Sequence, residues 1–321
     1  MAFTIAKRQA AISKAIQPLP GSTPYDNFRP INVPADCDGA TLLHTLCRVV
    51  RHLSTEHWQT EFGRGLILNH DRQICSATQT VRAGERYLHK FPNVVEPDVN
   101  GAIQILYEDE ALIVVNKPAP LPMHAGGRFN RNTLQHILNQ VYHPEKPKPA
   151  HRLDANTTGV VLLTRTRRFA ALLQPQFARG EVKKFYLVRV QGQPVEDRFS
   201  CDAPISSEPG EVGTREIDFE AGLPSHTDFR VLKRNADGTA LLEARPLTGR
   251  TNQIRVHLWH LGFPVCGDAV YLPGKIFGKT QTLAPEASPL CLHSSRVDFV
   301  HPLTKQRVEF TAPEPAWAKE L

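Results

Sequence analysis

Residues 151–164 constrain the fold more than any other part of the sequence. They begin with the polar, turn-forming stretch His151-Arg152-Leu153-Asp154-Ala155-Asn156-Thr157-Thr158-Gly159 and continue into the apolar run Val160-Val161-Leu162-Leu163. An apolar run of this length after turn residues predicts a strand buried on both faces. A charged loop held against a rigid strand is a common position for a reactive group. Taken alone, however, Arg152 and Asp154 also fit a solvated turn with a weak ion pair.

Three other segments have equally distinct patterns. Residues 103–118 predict a strand, an acidic turn and a buried strand, and Pro118, Pro120 and Pro122 then force an extended loop. Residues 181–190 alternate in the manner of a strand. From Asn252 onward the sequence predicts a helix that ends at Gly262.

Together these segments resemble the RluA-type pseudouridine synthases, which isomerise uridine to pseudouridine in RNA. The resemblance covers about two thirds of the chain. It rests on the 151–159 loop, residues 103–118, Lys184-Phe185-Tyr186, residues 247–262, Gly267-Asp268-Ala269-Val270-Tyr271, Leu290-Cys291-Leu292-His293-Ser294 and Phe299-Val300-His301-Pro302. One departure is Asn252, which stands where a histidine is common in the family. The asparagine keeps a hydrogen-bonding side chain, so we expect activity to survive.

The resemblance implies a reaction that breaks the bond from ribose C1′ to uracil N1 and remakes it to C5, without a cofactor. Asp154 would act at C1′, either by covalent attack or by assisting loss of the C2′ proton to give a glycal. Arg255 would pair with Asp154, and the opposite charge would favour the carboxylate. Tyr186 would stack on the uracil and could transfer a proton.

Recognition of the RNA is expected around the same loop. The uridine must leave the base stack, and Arg152 could fill the space it vacates. Ile254 and Leu292 are expected to wall the base pocket. Arg128 follows Gly126-Gly127, where the backbone could approach a ligand and the side chain could reach a phosphate. The basic or imidazole side chains expected to contact RNA are His151, Arg152, Lys184, Arg128, Arg250 and Arg165.

Charge supports a polyanionic partner. The net charge is +6, a modest excess. Between positions 152 and 189, eight basic residues stand against two acids, which beside a candidate active site favours a surface that binds phosphates. The six cysteines are scattered without a C-x-x-C pair, which indicates reduced thiols, and we therefore expect a cytoplasmic protein. Their spacing matches no zinc-binding motif. His257 and His260 are three residues apart but have no evident third ligand, so we expect no metal site.

The N-terminal third has a different character. Residues 1–25 contain no acid and three bases, which fits a basic amphipathic helix that extends the RNA surface, a disordered arm, or an organelle transit peptide. A proline-rich connector follows. Two helices are then predicted, from Thr41 and from the cap Ser54, before a strand at 66–69 and another that ends near Phe91.

This order of elements resembles the S4-type RNA-binding module that is often attached to these enzymes. Thr55, Glu56, His57 and Gln59 replace most of the basic residues usual in its second helix, so its affinity for RNA, or a purely packing role, stays open. The expected domains are a basic extension at 1–35, the S4-like module at 36–92, a linker at 93–101 and the catalytic domain at 102–321. The expected fold is α+β, with a largely antiparallel mixed sheet flanked by helices and loops.

Other functions fit less well. A catalytically silent RNA-binding or ribosome-assembly protein of the same fold would be expected to have replaced Asp154, Tyr186 or Arg255. A zinc nucleobase deaminase lacks its H-x-E and C-x-x-C ligands. A hydrolase with an aspartate nucleophile has no support beyond Asp154. We therefore expect a monomeric enzyme acting on structured RNA, either tRNA or rRNA, and no membrane span. A weak similarity of residues 127–133 to a branch with tRNA-acting members favours tRNA.

Overall fold

The computed structural model describes residues 2–319, which form two compact units. One comprises residues 23–95, and the other combines the segment ending at Ser22 with the chain from Glu96 onward. The helices are α1 (Ala2–Ala15), α2 (Leu42–Val49), α3 (Thr55–Gly63), α4 (Leu134–Val141), α5 (Arg167–Ala178), α6 (Gln253–His260) and α7 (Ala316–Lys319). No helix within residues 2–319 has both the length and the apolar character needed to cross a bilayer.

The smaller unit packs α2 and α3 on a three-stranded antiparallel sheet. Its strands are β1 (Tyr25–Asn32), β2 (Ile67–Leu68) and β3 (Arg86–Val94), in the order β1-β3-β2. The side chains of Thr41 and Ser54 cap the two helices by accepting from backbone N–H groups, and the cap at Ser54 was predicted from the sequence. The predicted order helix, helix, strand, turn, strand is therefore found, whereas similarity to S4 modules stays a prediction.

The boundaries of this unit differ from the expected 36–92. The proline-rich connector contains β1, which pairs with β3 along its whole length. Pro30 does not prevent this because β1 lies at the sheet edge, where a missing N–H costs no bond to a second neighbour. A strand pairing that joins residues about 60 positions apart leaves little local signal in the sequence.

The N-terminal helix α1 belongs to the larger unit and is not a disordered arm. Ile12 is buried in its core. The Gln9 side chain donates to the carbonyl of Ile103 (2.7 Å) and accepts from the N–H of Ile105 (3.1 Å). It thus hydrogen-bonds the backbone at the start of the strand that begins at Gln104. The guanidinium of Arg8 lies 4.4 Å from the ring centroid of Tyr142, while Lys7 and Lys14 are exposed. Thus one of the three bases of this segment has a packing role.

The larger unit is built on a mixed sheet. Its main strands are β4 (Gln104–Glu108), β5 (Leu112–Lys117), β6 (Lys148–Pro149), β7 (Thr158–Thr164), β8 (Lys183–Gln191), β9 (Arg198–Cys201), β10 (Thr227–Arg234), β11 (Thr239–Pro246), β14 (Leu292–Val300) and β15 (Arg307–Thr311). The order is β4-β5-β7-β14-β8-β11-β10-β9, with β6 on β7 and β15 on β14. The short strands β12 (Tyr271–Leu272) and β13 (Ile276–Phe277) form a separate pair. Each pairing is antiparallel except that of β7 with β14, which confirms the expected α+β fold.

Strand β7 lies inside this sheet, between β5 and β14, and confirms the strongest sequence prediction. Val160, Val161, Leu162 and Leu163 are each 0% exposed because both faces of the sheet are covered. Val161 and Leu163 face the core that contains α4, and Val160 and Leu162 face the core that contains Leu173 of α5.

The start of the larger unit differs from expectation. The chain rejoins this unit at Glu96 rather than near residue 102, since the Glu96 carboxylate accepts from the backbone N–H groups of Asn130, Arg131 and Asn132. Thr133 caps α4, and the neighbouring Asn132 does not. The Asn132 amide instead accepts from Gly21 and donates to the carbonyl of Pro97.

Candidate active site

The Asp154 loop leads directly into β7. Within it, the N–H of Thr157 donates to the carbonyl of Asp154 (3.1 Å), which closes a turn. The next carbonyl, that of Ala155, accepts from the N–H of Leu121 (2.8 Å). The loop is therefore tied to the extended segment that follows β5, and the Asp154 side chain is left partly exposed.

Gly159 allows β14 to approach the end of this loop. Its φ is +112°, and a Cβ at this position would lie 2.2 Å from the carbonyl oxygen of Ser294. Gly159 and Ser294 are partners in the parallel pairing of β7 and β14. A side chain larger than hydrogen cannot fit here without moving one of these strands.

Lys117 supports the same loop from inside the protein. Its ammonium is fully buried and donates to the carbonyls of Pro118 (2.9 Å), Leu121 (2.9 Å) and Ala155 (3.0 Å). Burial lowers the pKa of Lys117 to about 7, and the nearby charge of Asp154 opposes this shift. This role of Lys117 was not predicted from the sequence, although a lysine ending an apolar strand is a signal for a buried polar anchor.

Arg255 lies against the Asp154 carboxylate, in the pairing that the sequence resemblance implied. Its Nη1 donates to Oδ2 of Asp154 at 3.1 Å. The Arg255 side chain is only 6% exposed and that of Asp154 is 26% exposed, so the ion pair has one open side. Helix α6, whose residues 253–258 are all buried, holds the guanidinium rigidly.

Asp268 fixes Arg255 from the opposite side. Its carboxylate accepts from Nε (2.7 Å) and Nη2 (2.8 Å) of Arg255 in a bidentate pair. Burial alone would lower the pKa of Arg255, but the hydrogen bonds and charge of Asp268, with the charge of Asp154, raise it above its ordinary value. The Gly267-Asp268 motif is part of the family resemblance, but the role of Asp268 was not predicted, although an aspartate beside a glycine turn is a recognisable signal.

Asn252 completes the surroundings of Arg255. It begins α6 in the left-handed region (φ 58°), which asparagine tolerates better than most residues. Its Oδ1 accepts from Nη1 of Arg255 (3.2 Å), and its Nδ2 donates to the hydroxyl of Tyr271 (3.0 Å). The Arg255 guanidinium also lies 4.9 Å from the ring centroid of Tyr271. The asparagine thus supplies hydrogen bonds at the position where the resembling enzymes commonly have histidine.

Tyr186 lines a cleft of about 630 Å³ together with Asp154. Ile254 and Leu292 contribute to the same walls, as predicted for a base pocket. Burial raises the pKa of Tyr186 to about 12, so its phenol is protonated at neutral pH. The volume falls within the range of small-ligand pockets, and the combination of an aromatic ring, apolar walls and one carboxylate suits a planar polar base.

A second cleft of about 600 Å³ meets the first at Asp154, Asn252 and Arg255. Arg152 is exposed and borders both clefts. Arg250 lines the first cleft only, and Arg128 lines the second only. Three of the basic residues predicted to bind RNA are therefore distributed along a groove that passes over the carboxylate.

His151 and Lys184 border the first cleft but are already engaged by the protein. The His151 ring stacks on Phe177 (4.9 Å between centroids), and its Nε2 accepts from the N–H of Leu162. Burial lowers the pKa of His151 to about 3, so it carries no charge for a phosphate. Lys184 donates to the carbonyl of Thr248 (2.7 Å), and burial lowers its pKa to about 8. Both residues shape the cleft wall.

Arg165 does not border either cleft. Its guanidinium pairs with Glu108 (3.2 Å) and Glu145 (2.8 Å), and its Nε donates to the carbonyl of Asp109. The Glu108 side chain is 3% exposed, so Arg165 neutralises a buried carboxylate. Arg165 follows the end of β7, whereas the Asp154 loop precedes its start. The two residues are therefore close in sequence but lie at opposite ends of the strand, and the prediction that Arg165 contacts RNA at the site is not supported.

His257 is also engaged in packing. Its Nδ1 lies 3.0 Å from the hydroxyl of Thr227, and its Nε2 lies 2.9 Å from Ser225 and 3.0 Å from the carbonyl of Ala203. With both ring nitrogens hydrogen-bonded in the core, a metal shared with His260 is not supported. The six cysteines are free thiols.

Comparison with known proteins agrees with this geometry. The family model described as RNA pseudouridylate synthase matches residues 111–260. An uncharacterized RNA pseudouridine synthase of Synechocystis is 32% identical over 82% of this chain and 90% of its own length. The dual-specificity RNA pseudouridine synthase RluA of Escherichia coli K12 is 32% identical over 65% of this chain and 92% of its own length. The solved structure of human RNA pseudouridylate synthase domain containing 1 has a TM-score of 0.54 and 27% identity, covering 66% of this chain and 84% of that one. The chain therefore belongs to the RluA-type RNA pseudouridine synthases.

Proposed function

We propose that this protein converts selected uridines of a structured RNA, either tRNA or rRNA, to pseudouridine at the Asp154 carboxylate. The observation that carries the proposal is the Asp154–Arg255 pair at the junction of the two clefts, with Tyr186 in the wall of the first. The chain's relatives act on RNA by their printed names, which supports RNA as the substrate.

The charges around Asp154 suit cleavage of a glycosidic bond. Asp154, Arg255 and Asp268 together carry two negative charges and one positive charge, and the Arg255–Asp268 part is buried. Positive charge develops at C1′ as the bond to N1 breaks, and a net negative group on the cleft floor stabilises it. Arg255 contacts only Oδ2 of Asp154, and the side chain is 26% exposed, so we expect the other oxygen to be available to the ribose.

The uridine is proposed to leave its stack and enter the cleft beside Tyr186. Unstacking costs a few kcal/mol, and contacts with the apolar walls of Ile254 and Leu292 and with the tyrosine ring offset it. Arg152 is exposed and borders both clefts, which supports its proposed role of filling the vacated position in the RNA. Arg250, in the first cleft, and Arg128, in the second, are proposed to contact the RNA backbone.

In the isomerisation the C1′–N1 bond breaks, the base turns, and a C1′–C5 bond forms. The proton on C5 is then lost and N1 gains one, so atoms and charge balance. Tyr186 enters as a neutral phenol because its pKa is about 12, which suits it to hydrogen-bond the detached base rather than to act as a free base. A primary isotope effect with uridine deuterated at C2′ would indicate the glycal route, and its absence would indicate covalent attack by Asp154.

The test is to measure pseudouridine in tRNA and rRNA transcripts after incubation with the wild type and with Asp154→Asn. Carbodiimide adducts map the sites, since the isomer has the same mass as uridine. Glu309→Gln is a matched control because it neutralises an exposed carboxylate that pairs with Arg296 on the sheet edge. We expect the wild type and the control to modify a defined uridine and Asp154→Asn to modify none while still binding RNA. Modification by Asp154→Asn at the wild-type rate would refute the proposed role.

The same assay separates the proposal from a silent RNA-binding protein. If the wild type binds both transcripts but modifies neither, RNA from cells that lack the protein is the next substrate. Pseudouridine formation there supports the enzyme, and its absence supports the binding protein. Sedimentation of the purified protein checks the expected monomer.

A further inference from the structure

A group of metal-binding side chains lies in the smaller unit. His57, Glu61 and His89 each offer one ligand atom, and these atoms lie within 4.8 Å of one another. No role in pseudouridine formation uses them. We propose that they form a binding site for a divalent metal ion with the ligand preferences of zinc.

The fold brings the three ligands together from two elements. His57 and Glu61 are four residues apart on α3, so they share one face of that helix. His89 lies on β3, the central strand of the three-stranded sheet, where it is paired with Arg29 and Ile67 on either side. Because the ligands come from a helix and a distant strand, their spacing in sequence resembles no zinc motif, and sequence analysis predicted no metal.

The distances are close to those of a metal site. Nε2 of His89 and Oε2 of Glu61 are 2.7 Å apart, and both side chains are under 10% exposed. Around a tetrahedral zinc ion with bonds of about 2.1 Å, ligand atoms lie about 3.4 Å apart. A zinc ion would therefore replace the proton that His89 shares with Glu61, and the distance between the two atoms would have to increase by only about 0.7 Å. His57, at the solvent side of α3, would rotate inward.

The surroundings favour such an ion. Arg64 holds the other Glu61 oxygen, Oε1, at 2.9 Å and leaves Oε2 for the metal. The His89 ring packs against Trp58 and Phe91, with ring centroids 5.0 and 4.1 Å away. These contacts limit rotation of the imidazole. Two imidazoles and one carboxylate form a ligand set that zinc accepts, with a fourth position open to water.

The consequence would be a link between α3 and β3. A ligand that binds the folded state stabilises it by mass action, so the metal should raise the unfolding temperature of this unit. The effect is independent of pseudouridine formation and can be measured without RNA.

The test uses the full-length protein without an affinity tag, freed of metal by chelation and titrated with zinc chloride by calorimetry. His57→Ala is the main variant because it leaves the buried His89–Glu61 hydrogen bond intact. His70→Ala is its matched control, since His70 is exposed and adjacent to an aspartate in the same unit. We expect one equivalent of zinc on the wild type and on His70→Ala, and an affinity at least ~10-fold lower for His57→Ala.

Cobalt(II) gives a second, local readout. Bound at this site, it should show visible absorption of a tetrahedral complex and quench the fluorescence of Trp58. Glu61→Gln should weaken both signals. The proposal is overturned if the wild type binds no stoichiometric metal, or if His57→Ala and His70→Ala bind it equally, which would mean adventitious binding to surface histidines only.

Discussion

Asp268 is the residue whose replacement tests the architecture of the active site most directly. Its side chain is 0% exposed and accepts hydrogen bonds with both oxygens. Oδ1 accepts from Nη2 of Arg255 and from the backbone N–H groups of Val270 and Tyr271, while Oδ2 accepts from Nε of Arg255. Asp268→Asn keeps the shape, but one oxygen becomes an amide nitrogen and the charge is lost.

The magnitude follows from these contacts. The asparagine oxygen should take the Oδ1 position, where three donors converge, so its NH₂ must face the Nε–H of Arg255. One charge-assisted hydrogen bond, worth about 1.5–3 kcal/mol, is lost. Removing one partner of a buried ion pair costs about 3–5 kcal/mol, and here Asp154 compensates part of the loss. We therefore expect the free energy of unfolding to fall by about 2–4 kcal/mol.

Activity should fall as well, because Arg255 orients Asp154. The net charge of the three-residue cluster changes from −1 to 0, so positive charge at C1′ is less stabilised. Each 1.36 kcal/mol of lost transition-state stabilisation is tenfold in rate, and we expect kcat to decrease by at least about tenfold. The dissociation constant for RNA should change little, since Asp268 is buried below the groove.

Urea denaturation of full-length protein, followed with an RNA-binding assay and pseudouridine formation at saturating RNA, measures all three quantities. Glu309→Gln again serves as the control, because an exposed ion pair contributes about 0–1 kcal/mol. If Asp268→Asn unfolds at the same urea concentration as this control, or keeps the wild-type kcat, then Asp268 does not hold Arg255 as argued.

Three further predictions concern the loop and its supports. Gly159→Ala should destabilise by about 2–4 kcal/mol, whereas Gly238→Ala, also at positive φ but with open space around it, should cost only about 1 kcal/mol in the same urea titration. Arg165→Ala should lower the unfolding temperature, measured by calorimetry, without weakening RNA binding, measured by filter binding. In the same two assays, Arg152→Ala should weaken RNA binding without lowering the unfolding temperature. Lys117 binds fewer protons when folded than when unfolded between pH 7 and its ordinary pKa of 10.5, so stability should rise with pH across that range. Lys117→Met should reduce that slope, and equal slopes would contradict the lowered pKa.

Much of the larger unit could be predicted because its signals are local. The apolar run 160–163, the alternation of residues 181–190 and the glycine after α6 each specify an element without reference to distant residues. The Asp154 loop was recognisable for the same reason, since its turn residues and the buried strand are contiguous. The helix caps at Thr41 and Ser54 also depend only on the next three residues.

Other features could not be predicted because they depend on pairings across the chain. Strand β1 was read as a connector, since its partner β3 lies about 60 residues later. Arg165 and His151 were expected to face RNA, yet their side chains meet buried partners of the protein. The role of Lys117 depends on carbonyls from two loops that converge on its ammonium.

The sequence by itself determined the α+β fold and the family, and it singled out Asp154 as the carboxylate proposed to react, because contiguous hydrophobic patterns and short motifs encode these features. Only the tertiary structure decided how that carboxylate is held, through Arg255 and Asp268, and which basic residues lie along the groove. It also decided that His57, Glu61 and His89 meet. The physical reason is that hydrogen bonds and ion pairs depend on distances of about 3 Å, which long-range packing sets and sequence spacing does not record.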